Sequence, residues 1–144
     1  MGIFKQLSFP VHIQLRPYSC SAAVLQMVVK HLTGERMRHI DAIDYTDCKP
    51  DGCTMVLLQC AIRKFDIVTG KCAKRQASIR KALDEDKLII IDDNTSYKEP
   101  HVELITGYSG KRFWVVDPMR LWPRFRQGKD VIKSAETCFT AYVR

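Results

Sequence analysis

No stretch of this chain approaches the roughly 20 consecutive apolar residues that a membrane-spanning helix requires, so no span is expected. A secretory signal is missing as well. The start, from Met1 to Lys5, reaches Pro10 within a few residues, with neither an apolar core nor a cleavage site. Gly2 is not a lipidation signal, because Gln6 stands where Ser or Thr would be needed. The expected location is therefore cytoplasmic, with delivery into another cell as the variant for an excised toxin or effector. There is no Pro/Gly/Ser-rich divider, no low-complexity run and no block of like charge. One domain spanning 1–144 is the expectation, since a chain of 144 residues that is 46% hydrophobic can build a single core.

What the sequence does have is an excess of basic residues and many cysteines. The formal charge is +7, and Arg112, Arg120, Arg124, Arg126 and Lys129 gather towards the C-terminus. They form either a basic face or the solvated flank of a loop. No nucleic-acid-binding signature accompanies them, so no nucleic-acid partner is expected. Six cysteines occur, at 20, 48, 53, 60, 72 and 138. Disulfide frameworks belong mainly to smaller secreted domains. A zinc site from Cys48, Cys53, Cys60 and Cys72 lacks two-residue knuckles and would draw one ligand from a helix. Free thiols are expected, with no cofactor and no metal.

Residues 19–33 read as a helix that is apolar around most of its circumference, central and buried, and closed by Gly34 in the left-handed C-terminal position. Pro17 breaks regular structure ahead of it, placing Cys20 at the helix N-terminus. A second helix covers 54–64 after the turn at 50–52, and a short third covers 77–83. The period then changes. Residues 88–91 suit a buried strand, 101–108 and 112–116 a hairpin turning at Gly110, and 139–143 a last strand. Helices first and antiparallel strands later predict an α+β fold, with N-terminal helices packed on a C-terminal antiparallel sheet.

A nucleophilic cysteine works as a thiolate, which the unpaired amides and dipole of a helix N-terminus favour. Cys20 has that placement, although, taken alone, a small buried residue on a core helix explains it better. Gln14, six residues earlier, can return its side-chain amide beside the helix start and, with the Cys20 backbone N–H, stabilise an oxyanion. His101 opens one strand of the hairpin and Asp117 follows the other, so the two should be neighbours at its open end. That is a base with its orienting carboxylate. His12, His31 and His39 carry no role, Trp114 and Trp122 read as core or cleft-wall aromatics, and Asp92, Asp93 and Glu99 form an acidic lip or a solvated loop.

Gln14 with Cys20, the helix bearing Ala23, Leu25 and Met27, the strand opening at His101, and Asp117 before Pro118 resemble the bacteriocin-processing cysteine peptidases, the double-glycine leader peptidases. The resemblance spans nearly the whole chain. It implies a papain-like fold in which Cys20, His101 and Asp117 form the triad and Gln14 lines the oxyanion hole. It also makes a transporter a conceivable partner, or an immunity protein for a toxin. The expected activity is thiol-dependent acyl transfer, most simply cleavage of a peptide or protein substrate. The alternatives are glutamine deamidation on a target protein and a silent peptide-binding module, because one fold hosts several functions.

Overall fold

A computed structural model describes residues 4–6, 20–47, 55–93, 101–118 and 123–144. The elements in chain order are β1 (Phe4–Gln6), α1 (Cys20–Thr33), α2 (His39–Thr46), α3 (Met55–Arg63), β2 (Val68–Lys71), α4 (Gln76–Asp84), β3 (Leu88–Asp93), β4 (His101–Ser109), β5 (Arg112–Val116), β6 (Arg124–Gln127), α5 (Gly128–Ser134) and β7 (Ala135–Tyr142). The strands form one seven-stranded sheet in the order β2-β7-β3-β4-β5-β6, with β1 pairing β4 beside its turn end. Every pairing is antiparallel. None of the described helices is long and apolar enough to cross a membrane.

The apolar run in β3 has a direct cause: the sheet is covered on both faces. Leu88 and Ile90 point into one cluster with Val24, Leu25 and Val28 of α1 and Leu58 of α3. Ile89 and Ile91 point into a second, with Ile79 and Leu83 of α4, Phe113 and Val115 of β5 and Val131 of α5. A strand buried on both sides loses the polar/apolar alternation of a half-exposed one. Two of the expected helices, α1 and α3, cover one face together with α2, while the third, α4, closes the other face with α5. The α+β class holds, as a three-layer arrangement.

α1 is buried from Cys20 through Val29, as its all-round apolar character requires. Gly34 ends it at φ +80°, its N–H donating to the Lys30 carbonyl at 3.0 Å. His39 opens α2, a helix absent from the sequence reading. There Gln26 of α1 holds the incoming chain, donating to the Met37 carbonyl at 2.9 Å and bonding His39 Nδ1 at 2.6 Å.

The hairpin of β4 and β5 forms as expected, closing at the pair Ser109–Arg112 with Gly110 at φ +58°. It carries one irregularity. Gly107 pairs Trp114 and Ile105 pairs Val115, so Thr106 is an extra residue on β4. Beyond it Leu104 pairs Val116, which carries Asp117 opposite Glu103. Side chains alternate across a strand, so Glu103, His101 and Asp117 share one face. Without the bulge Asp117 would stand opposite Leu104, on the other face.

Candidate active site

The first residue of α1 is Cys20, whose side chain is 6% exposed. Its thiol lies close enough to His101, the first residue of β4, to act on the ionisation of the ring. The other side of that ring is occupied: His101 Nε2 lies 2.5 Å from Asp117 Oδ1. The fold thus brings Cys20, His101 and Asp117 together, with the ring bonded directly to the carboxylate.

Burial alone would push the His101 pKa down, because a low-dielectric site disfavours the charged ring. The hydrogen bonds to Asp117 and Cys20, and then the charges of both, outweigh it and lift His101 from 6.5 to about 9. His101 is 3% exposed and Asp117 1% exposed, so their bond is shielded from water and little screened by salt.

Sequence reasoning missed a fourth buried group here. Glu103 is fully buried, and its carboxylate lies within 4.8 Å of the facing atoms of both His101 and Asp117. Arg126 of β6 approaches it, Nη1 to Oε1 at 3.9 Å, and also donates from Nη2 to Ser134 Oγ at 3.3 Å. In sequence Glu103 alternates with Val102 and Leu104, like the solvent side of a half-exposed strand. Only the second helical layer turns that position inward. His101, Glu103 and Asp117 are one His and two carboxylates close enough to share a cation. The direct bond between His101 and Asp117 is the geometry of a base and its orienting carboxylate.

Gln14, His12, Cys48, Cys53, Glu99, Arg120 and Trp122 lie outside the described residues. Cys60 is an exposed free thiol on α3, and Cys72 lies against Cys138. Asp92 is no part of an acidic lip. It is buried, accepting the backbone N–H groups of Glu136 and Thr137 at 2.8 and 2.7 Å and the Thr137 hydroxyl at 3.0 Å. The C-terminal arginines do not form a purely solvated flank either. Arg126 turns to Glu103, and Arg112 lies 5.0 Å over the Phe125 ring, which itself meets Trp114 edge-on at 4.3 Å.

No protein-family model and no curated protein matches the sequence. Solved structures do match. The chain is similar to the peptidase domain of Streptococcus ComA, a bifunctional ABC transporter involved in quorum sensing, with TM-score 0.80 and 15% identity over 95% of this chain and 100% of that one. It is similar to a putative C39-like peptidase from Bacillus anthracis, with TM-score 0.80 and 11% identity over 99% and 98%. A double-glycine-motif protease from an AMS/PCAT transporter, solved in complex with the leader peptide, matches with TM-score 0.73 and 17% identity over 94% and 91%. The fold is that of a C39-type, papain-like peptidase domain. In this fold the start of α1 and the open end of the β4–β5 hairpin converge at one end of the interior strands, and they bring Cys20, His101 and Asp117 there.

Proposed function

We propose that the chain is a cysteine peptidase in which Cys20 is the nucleophile, His101 the general base and acid, and Asp117 the orienting carboxylate. The observation that carries this reading is the buried His101 ring, bonded to Asp117 and close to the thiol that opens α1. A core histidine needs one partner. A relay needs a thiol beside the ring as well.

The reaction follows from the geometry. Cys20 passes its proton to His101 and attacks the carbonyl carbon of the scissile bond. The oxyanion is stabilised by the Cys20 backbone N–H, which has no acceptor within the first turn of α1. The Gln14 side-chain amide is the second donor in this proposal. His101, held protonated by Asp117, then gives the proton to the leaving amine. Water, activated by the now neutral ring, releases the acyl group from Cys20. The substrate is a peptide or protein segment laid across the N-terminus of α1.

Iodoacetamide near neutral pH tests the nucleophile. Cys20 is expected to react faster than the exposed Cys60, and His101→Ala to slow it. Equal rates for the two cysteines, with activity untouched in Cys20→Ala, remove the enzymatic reading. Mass spectrometry of a proteome treated with wild-type or Cys20→Ala protein identifies the bond. New peptide termini dependent on Cys20 support a peptidase, and glutamine-to-glutamate conversion without new termini overturns it in favour of a deamidase.

A further inference from the structure

Two cysteines remote from this chemistry face each other at the sheet edge. β2 ends at Lys71, which pairs with Phe139 of β7. One step further along the same antiparallel register, Cys72 falls opposite Cys138. Directly opposed residues in such a pair have Cα atoms roughly 4.5–5.5 Å apart, inside the roughly 4.4–6.8 Å that a disulfide spans. The contacts agree with that register. Cys138 Sγ donates to the Cys72 carbonyl at 3.1 Å, and the two thiols are close enough to shift one another's ionisation. Both are free and half-buried, and both pack against the apolar cluster under α4 and α5.

Small reagents have a route to them. An open cavity of about 430 Å³, lined by Cys72, Ala73, Lys81, Glu85 and Lys87, exposes one flank of Cys72. A second, of about 540 Å³ beside α3, is lined by Met55, Gln59, Arg63, Cys72 and Cys138.

We propose that Cys72 and Cys138 are a redox-responsive pair that a hydroperoxide closes into a cross-strand disulfide, stapling edge strand β2 to β7. Cys72 is the attacking thiol. The hydrogen bond from Cys138 pushes its pKa down, against the opposing effect of burial. The same bond pushes Cys138 up, as do burial and the neighbouring negative charges of Cys72 and Asp92. The Cys72 thiolate attacks one peroxide oxygen and breaks the O–O bond, giving a sulfenic acid and hydroxide. Cys138 then attacks the sulfenic sulfur. The S–S bond forms as the sulfenic oxygen leaves, taking the Cys138 proton to become water, and the proton that Cys72 gave up on ionising neutralises the hydroxide. Two thiols have lost two protons and two electrons, and hydrogen peroxide has become two waters. The bridge joins residues 66 apart in sequence, so it restrains a large part of the unfolded chain.

Peptide mapping of the full-length protein tests this. Reduced, desalted protein is treated with hydrogen peroxide, remaining thiols are alkylated, and the digest is compared with and without dithiothreitol. A peptide linking Cys72 to Cys138, two hydrogens lighter than its reduced parts and split by dithiothreitol, is the expected result. In Cys20→Ala protein, where the candidate nucleophile cannot itself be oxidised, the oxidised form should melt higher by roughly 5–10 °C. Cys72→Ser should abolish both the linked peptide and the rise. Full alkylation of both thiols after peroxide, isolated sulfinic acids, or a link from Cys72 to a different cysteine overturns the pair. A linked peptide without any rise in melting temperature overturns the staple.

Discussion

His101 Nε2 and Asp117 Oδ1 meet at 2.5 Å, and neither residue has more than 3% of its surface in contact with water. Such a bond keeps the ring in one orientation and makes it a stronger base than a free imidazole. It also sets where on the pH scale the site should work.

With His101 lifted to about 9, the protonated ring that serves the leaving amine persists through neutral pH and is lost as pH rises through that value. The alkaline limb of kcat/KM is therefore expected near pH 9. Asp117→Asn removes the carboxylate that lifts the ring and leaves burial to lower it, so the limb should move to lower pH and kcat should fall. A profile that stays in place in Asp117→Asn separates Asp117 from the base.

Gln14→Ala is expected to lower kcat by roughly 10²–10³-fold, the effect of losing one oxyanion donor, with little change in KM. Alkylation of Cys20 makes no oxyanion, so its rate should be unchanged in this variant. Slowed alkylation would instead mean that Gln14 shapes the helix start.

Arg126→Met leaves the fully buried Glu103 carboxylate without the guanidinium that approaches it. Breaking a buried pair from one side costs roughly 3–5 kcal/mol. Glu103→Gln should cost less, because it removes the buried charge together with the need for a partner. Adding Glu103→Gln to Arg126→Met should recover part of the loss. Urea unfolding of the three variants measures this, and additive losses would show that the two groups do not act as a pair.

Much of the site was legible because each part leaves a local mark. Cys20 follows Pro17 and opens a helix apolar on all sides, while Gly110 marks a hairpin whose open end carries His101 and Asp117. The short elements were harder to read. β2 (Val68–Lys71) contains a glycine and β6 (Arg124–Gln127) two arginines, and both are stabilised by cross-strand pairing, which composition does not reveal. α2 buries only Ala42, Ile43 and Thr46, too few for a helical period to stand out. Glu103 and the Cys72–Cys138 pair are tertiary facts. The first depends on a helical layer contributed by α4 and α5, the second on two strands brought together across 66 positions.

The bulge at Thr106 has a consequence for arithmetic along the chain. The hairpin closes on Ser109 and Arg112, three apart, so in an unbroken ladder any two residues sharing a face across the strands differ by an odd number. His101 and Asp117 differ by 16. An even interval between base and carboxylate, across a two-residue turn, already requires one unpaired residue between them. Changes of length in this hairpin are compatible with the relay only in steps of two. A single insertion or deletion would turn the carboxylate into the apolar cluster beneath α1, with every catalytic residue type still present in the sequence.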